Sequence, residues 1–481
     1  MPNKKFILLF LVIANLMTSV DSTIVLLAFP AITTALHSNL STIIWVILIY
    51  LLASAVSSTQ FGRIGDLYGK SKIFKLGIVV FTVFSFLCGI APTDISLIVF
   101  RLFQGLGGAM MISNSGAIIA DTFYRNELGK AYGYNSLGWN VGAMLGIVLG
   151  GIITTFLGYR YIFFINVPIG ILIFLGSQKY IIDLKRRKEK LDLIGMALLA
   201  SFLILILYSG INIASVGLTE LNLFILILGI LLIFPFYIRE KSFSSPVINF
   251  SQLKVKIFRN SILATLFQGL GFMGVSFLLI MYLQGVRGFS PLLASLLLLP
   301  GYLIGSAFAP YAGKLSDLYG ARILATLGIC AMIIGISLYF LVGSNSPIYI
   351  ILIGSSITGF GSAMFWPANN SAVMENSLEG RFGASAGLLR LFNNIGIMGS
   401  FIIAIVSSSL VIPRALAFEV FVGTSKLIGG IKNGFITGFH FSLIFLISML
   451  VISAILSLTR GKSNYLKRQR YKSKVKIAKN Y

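Results

Sequence analysis

Long apolar segments separated by short polar ones recur along the whole chain. Each segment has about the twenty residues that a helix needs to cross the hydrocarbon core of a bilayer. Lipid offers no hydrogen-bond partners to an open strand, so segments of this length are expected to be helical. The pattern predicts fourteen membrane-spanning helices, at residues 6–29, 43–61, 72–91, 95–118, 131–155, 161–178, 193–212, 222–238, 263–283, 291–312, 323–342, 347–370, 383–408 and 437–458.

Composition agrees with a membrane protein. Hydrophobic residues make up 57% of the chain and charged residues 11%, whereas soluble domains carry about a quarter charged residues. The two cysteines, Cys88 and Cys330, lie in apolar segments, where we expect them to be packing residues. The only histidines are His37 and His440. The sequence therefore predicts no cofactor, no metal site and no enzyme.

A short motif occurs twice, at residues 62–69 and 313–320, and the copies agree at five of eight positions. The first copy lies between predicted helices 2 and 3, the second between helices 10 and 11. A shift of eight helices indicates two six-helix halves with two helices inserted between them. The predicted divisions are residues 1–184 for the first bundle, 185–259 for the inserted helices, 260–459 for the second bundle and 460–481 for a basic tail.

The net charge of +24 is explained by topology. If both termini are cytosolic, five of the 38 Lys and Arg residues face the outside and two lie within membrane segments. The remaining 31 face the cytosol. This bias follows the positive-inside rule, so no nucleic-acid partner is predicted. We expect a monomeric, multi-pass protein of the cell membrane, with the lipid bilayer as a partner.

The duplicated motif is the first candidate functional element. A short connection between antiparallel helices needs glycines that adopt positive φ, and an acidic side chain there can pair with nearby bases or helix N-termini. The interpretation is an electrostatic latch that breaks when the halves rock; a simple turn is the alternative. Its predicted members are Gly62, Arg63, Asp66, Gly69, Lys70 and Asp317.

Two ionisable residues are predicted at similar depths in the membrane. Counted at 1.5 Å per residue from the outer helix ends, Asp21 of helix 1 lies about 13 Å deep and Arg101 of helix 4 about 9 Å deep. Ionisable residues inside a membrane are costly and often belong to proton relays. The hypothesis is a proton-coupling pair, and the alternative is a static structural ion pair.

Helix 5 has a glycine at every fourth position, which leaves one face bare for close helix contact or bending. A role in conformational switching is a further hypothesis. These glycines are Gly138, Gly142, Gly146 and Gly150, with Gly151 adjacent.

Further polar, aromatic and sulfur-containing residues are predicted to face a central cavity and bind substrate. Packing is the alternative for each of them. They are Gln104, Trp139, Asn140, Gln268, Met273, Tyr282 and Gln284.

The chain resembles the major facilitator superfamily, specifically its fourteen-helix drug:proton antiporter branch. The resemblance implies an all-α integral membrane fold with two six-helix bundles plus two inserted helices, proton-coupled efflux by alternating access, and a role for Arg101 in proton transfer. The matching segments are 21–30 in helix 1, 62–72 in the loop after helix 2, 101–108 in helix 4 and 158–168 at the entrance to helix 6.

Two positions depart from the branch. Ile147 stands where the helix 5 motif has a proline, and residues 291–312 lack the acid that some members use for dications. We therefore expect small amphiphilic substrates that are neutral or monocationic. The alternative is a transporter of a specific endogenous metabolite, an anion among the possibilities because Arg101 and Arg390 both lie in membrane segments.

The topology can be tested directly. Because the predicted helix number is even and the basic loops lie on one side, reporter fusions at Tyr481 and within residues 410–436 should report opposite sides of the membrane. Activity of a cytosol-specific reporter at both positions would remove one helix from the predicted count.

Overall fold

The computed structural model describes residues 4–123, 128–181, 191–243, 246–248, 250–377, 382–411 and 430–461, and these residues contain no strand. Fourteen helical segments among them are long and apolar enough to cross a membrane, which confirms the predicted all-α architecture. They are α1 Lys4–Ala35, α2 Ser41–Tyr68, α3 Lys70–Gly89, α4 Asp94–Thr122, α5 Gly133–Phe156, α6 Tyr161–Tyr180, α7 Leu193–Ser215, α8 Glu220–Ser242, α9 Lys256–Val286, α10 Pro291–Ser316, α11 Ala321–Leu341, α12 Tyr349–Glu375, α13 Ser385–Ser409 and α14 Asn433–Thr459.

The two sides of the bundle can be distinguished by the chain ends. Because the number of spans is even, α1 begins and α14 ends on the same side, here called the terminus side; the opposite side is called the far side. Odd-numbered helices run from the terminus side to the far side. The prediction that the terminus side is cytosolic stays a prediction.

Helix packing repeats with a shift of eight helices. In the first half α1 packs against α5, and α4 packs against α2 and α3. In the second half α9 packs against α13, and α12 packs against α10 and α11. The inserted helices α7 and α8 pair with each other, and α7 also contacts α2 and α13. The repeated motif therefore corresponds to a repeated helix arrangement, while the exact domain boundaries stay a prediction.

The duplicated turns are tighter than the sequence predicts. Predicted helices 2 and 3 leave residues 62–71 as a connecting loop, whereas α2 continues as helix to Tyr68 and α3 begins at Lys70. Gly69 between them has φ 118°, and its N–H donates to the Gly65 carbonyl at 2.9 Å. Gly320 in the second copy has φ 88° and bonds to the Ser316 carbonyl at the same distance. One glycine with positive φ reverses the chain in each half.

The two halves meet on the far side. The Gln284 side chain of α9 donates to the Leu27 carbonyl of α1 at 3.1 Å. The Leu292 N–H at the start of α10 donates to the Thr155 hydroxyl of α5 at 3.1 Å. These bonds join helices of opposite halves near their far-side ends, so the protein is closed there.

The face of α5 that meets the second half is exposed toward the terminus side. Gly151 of α5 lies so close to Ser295 of α10 that an added Cβ would clash with the serine side chain. Asn140 lies eleven residues earlier, about three turns back on the same helix face, yet it is exposed. The face of α5 that meets the second half at Gly151 is therefore open at Asn140, and we call the space beside Asn140 and Trp139 the cleft.

Candidate functional site

Asp21 of α1 and Arg101 of α4 meet in the interior of the first half. Arg101 Nη1 donates to Asp21 Oδ2 at 2.6 Å. The exposed fractions of the two side chains are 0% and 1%, so the pair is shielded from water and lipid. The structure thus joins the two residues that the sequence places at similar depth.

The second carboxylate oxygen of Asp21 is also occupied. Gln104 Nε2 donates to Oδ1 at 2.8 Å, and Asn166 Nδ2 donates to the same atom at 3.0 Å. Burying a charge is costly unless hydrogen-bond donors replace the water that it loses. Three donors therefore surround the Asp21 carboxylate at this position. Asp21, Arg101, Gln104 and Asn166 together are called the charge site.

Arg101 has further contacts that do not involve Asp21. Its Nε donates to the Val46 carbonyl of α2 at 3.1 Å, and its Nη1 also donates to Gln104 Oε1 at 2.8 Å. The guanidinium carbon lies 4.1 Å from the centre of the Tyr50 ring, a cation–π arrangement. Helix α2 therefore helps to position the arginine.

Three residues of this region are not predicted from the sequence: Asn166, Ser85 and Tyr50. Asn166 Nδ2 also donates to the Ser85 hydroxyl at 3.0 Å, and that hydroxyl donates to the Phe163 carbonyl at 2.8 Å. The available signals for Asn166 are an asparagine inside an apolar segment and its place in the matching segment 158–168. The contacts of Ser85 and Tyr50 depend on which face each helix turns toward its neighbours. The depth of a residue in the membrane does not determine that orientation.

The glycine series of α5 packs against α1. At each glycine an added Cβ would lie 2.6–2.9 Å from a carbonyl oxygen of α1, closer than real Cβ atoms approach. Only glycine permits this spacing, which sets the position of the helix that carries Asp21. The pairs are Gly138 with Val12, Gly142 with Leu16, Gly146 with Val20 and Gly150 with Ile24.

Arg390 of α13 faces the first half across the cleft. Its guanidinium carbon lies 4.5 Å from the centre of the Trp139 ring of α5. Its side chain is partly exposed, but Nη1 is buried and has no hydrogen-bond partner. Among the predicted substrate residues, Trp139 therefore contacts a charged group of the other half, and Asn140 next to it is exposed.

Three of the predicted substrate residues use their polar atoms elsewhere in this state. Gln104 belongs to the charge site. Tyr282 is fully buried, and its hydroxyl donates to the Gly343 carbonyl at 2.8 Å. Gln284 joins the halves on the far side.

The other two predicted substrate residues lie on α9. Gln268 is buried, and its Nε2 has no hydrogen-bond partner. Met273 is partly exposed and packs at the edge of the apolar core. The described residues contain no group of three or more His, Cys, Asp or Glu side chains that could hold a metal ion.

The first copy of the predicted latch forms ion pairs within its own half. Lys70 Nζ lies 3.3 Å from Asp66 Oδ1 and 2.7 Å from Asp121 Oδ2 at the end of α4. Arg63 donates to the Pro246 carbonyl at 2.6 Å, in the segment after the inserted helices. In the second copy, the side chain of Asp317 lies outside the described residues. Gly62 has no close neighbour; the nearest atom to an added Cβ, from Ser113, is 3.8 Å away.

Comparison with known proteins agrees with this architecture. The family model of the Major Facilitator Superfamily matches residues 11–401. The riboflavin transporter RibZ of Clostridioides difficile is 32% identical over 403 residues, which cover 82% of this chain and 86% of that protein. Multidrug resistance protein 3 of Bacillus subtilis is 30% identical over 395 residues, or 81% of this chain and 76% of that protein.

A solved structure shows the same fold. It is a bacterial homologue of the human lysosomal transporter Spinster in an inward-facing, unoccupied conformation. The match has a TM-score of 0.65 with 15% sequence identity, and it covers 95% of this chain and 96% of that chain.

The packing of α5 on α1 makes a testable prediction. Gly146→Ala should lower thermal stability by about 1–3 kcal/mol, the usual cost of overpacking, because its Cβ would meet the Val20 backbone at 2.7 Å. The measurement is the thermal melting of purified protein in detergent. Gly133→Ala on the same helix is the control, since nothing lies within 4 Å of the added Cβ. Equal melting temperatures for the two variants would contradict the close contact.

Proposed function

Because the chain belongs to the major facilitator superfamily, we propose that it is a proton-coupled exporter of small amphiphilic compounds. Members of this family transport small molecules across membranes, so the chain is a transport protein and not an enzyme. Coupling to protons, the outward direction and the substrate class are the proposal.

The ion pair between Asp21 and Arg101 carries the proposal. The other acids that the structure describes lie at or near helix ends, whereas Asp21 lies in the middle of α1. A proton on Asp21 would remove one charge from the pair and leave Arg101 with Gln104, the Val46 carbonyl and the Tyr50 ring. Electrostatic attraction between these two residues would then no longer hold α1 against α4.

Coupling requires that the proton affinity of Asp21 differ between two states of the transporter. In the described state the carboxylate is enclosed and has three donors, so this state suits the ionised form. A state with its far side open would admit water and protons to the first half. Inward proton flow would then drive export by switching the protein between these states.

The cleft supplies the substrate part of the proposal. Trp139 and Asn140 beside it offer an aromatic ring and an amide, which suit amphiphilic molecules. Export of such compounds is supported by the name of the Bacillus subtilis relative, which is a multidrug resistance protein.

A specific metabolite is the second candidate for the substrate. Arg390 favours it, because a buried donor without a partner suits one defined ligand group better than a broad range of amphiphiles. The Clostridioides difficile relative is named a riboflavin transporter, which supports a metabolite as well.

Neutralising Asp21 should uncouple transport. A gradient of one pH unit supplies ~1.4 kcal/mol per proton, enough for a roughly tenfold substrate gradient with one coupled proton. In proteoliposomes with an imposed pH gradient, the wild-type protein should concentrate a verified substrate and Asp21→Asn should only equilibrate it. Concentration by Asp21→Asn at the wild-type level would place the proton site elsewhere.

A double variant separates coupling from folding. Asp21→Asn alone leaves Arg101 buried without its counter-charge, a change that costs about 3–5 kcal/mol in buried pairs. Asp21→Asn with Arg101→Gln removes both charges and should recover stability without recovering accumulation. Recovered accumulation would mean that the pair is structural.

The latch makes a separate prediction. Asp66→Asn should leave abundance normal and slow substrate exchange, because it removes the motif acid that we propose pairs differently as the halves rock. Asp121→Asn is the matched control, since it removes the other, shorter bridge to Lys70. Equal slowing by both variants would show that anchoring Lys70 matters and that the motif acid has no role of its own.

A further inference from the structure

Arg390 is a charged residue of the membrane interior that the proton mechanism does not use. It lies five residues after Ser385, where α13 begins, or about 8 Å along the axis. Its Nη1 is buried and has no hydrogen-bond partner. Such a donor is expensive to leave unsatisfied, so this atom needs an acceptor that the described protein does not provide.

The carboxylate of the charge site is not that acceptor. Asp21 already receives hydrogen bonds from Arg101, Gln104 and Asn166. The charges of Asp21 and Arg101 also balance each other, whereas Arg390 forms no salt bridge with any carboxylate of the described residues. The described interior between the halves therefore carries one positive charge that is not compensated.

The position of the guanidinium indicates where a ligand would bind. Its carbon lies 4.5 Å from the centre of the Trp139 ring, within the range of a cation–π contact. The unpartnered Nη1 is thus available to an oxyanion that binds beside this aromatic ring.

We propose that Arg390 binds an oxyanion of the substrate, and that Trp139 contacts its aromatic or other flat apolar part. A guanidinium binds a carboxylate through two parallel hydrogen bonds, which a neutral amide or an amine cannot reproduce. This inference rests on the proposed transport function, and it favours the anionic alternative over neutral or monocationic substrates.

Binding can be measured without any ion gradient. The chain has three tryptophans, so the full-length Trp45→Phe/Trp366→Phe variant retains Trp139 as its only tryptophan. Its fluorescence is titrated with 3-phenylpropanoate, 3-phenylpropanamide and 3-phenylpropylamine, which differ mainly in charge. The carboxylate should bind at least about tenfold more tightly than the other two, since charge-assisted pairs are the strong ones. Equal affinities for all three probes would overturn the proposal without any further substitution.

Substitutions then assign the preference to Arg390. Arg390→Gln should abolish the preference for the carboxylate, and Arg390→Lys should retain part of it because the charge remains without the paired geometry. Arg322→Gln at the start of α11 is the control and should bind as the parent does. An unchanged preference in Arg390→Gln would place the anion site elsewhere.

Two further measurements distinguish substrate binding at Arg390 from proton coupling and from lipid binding. The Asp21→Asn variant should still prefer the carboxylate, so loss of proton coupling and loss of anion binding are distinguishable. Binding is also compared in nanodiscs of phosphatidylcholine with and without phosphatidylglycerol. Weaker carboxylate binding with the anionic lipid, beyond any loss that Arg390→Gln shows, would assign Arg390 to a lipid phosphate and overturn the substrate proposal.

Discussion

A fully buried ion pair is the constraint on which the first half depends. Two charges removed from water are tolerated only when their remaining donors and acceptors are satisfied. Asp21 accepts hydrogen bonds from Gln104 of α4 and Asn166 of α6. Arg101 donates one to the Val46 carbonyl of α2. Four helices are therefore fixed relative to one another by a single acid–base pair. Helix α5 is the fifth helix in this arrangement, because its glycine face positions α1 so that Asp21 contacts Arg101.

The second half repeats the helix arrangement but not this chemistry. Its polar network lies on the terminus side, where Arg460 donates to the side chains of Ser261 and Asn369, and Asn369 donates to Thr265. The described part of that half holds no acid in the middle of a helix. The proposed proton function is therefore confined to the first half, and the second half contributes Arg390 to the cleft between them.

The features that the sequence predicts correctly are those that hydrophobic periodicity and the depth of a residue along its helix determine. Helix number, the eight-helix shift and the similar depths of Asp21 and Arg101 all follow from counting residues along helices. The length of the duplicated turn was predicted incorrectly, because charged residues such as Asp66 mark the end of the apolar segment and not the end of the helix. Rotation of a helix about its axis is not encoded in depth. For that reason the contact of Lys70 with Asp121 and the place of Asn166 in the charge site became apparent only in the structure.

Helix α1 connects the charge site to the contact between the halves. Gln284 of the second half bonds to the Leu27 carbonyl, six residues or about 9 Å from Asp21 along the helix. Pro30 lies in the same helix, and a proline removes the backbone hydrogen bond to the residue four positions earlier, so α1 is weakened beside this contact. Separation of the halves on the far side would pull on α1 at its weakest turn, while the glycine contacts with α5 hold the segment that carries Asp21. The same helix thus bears both the group that would bind a proton and the bond that must break, which is the connection that proton coupling requires.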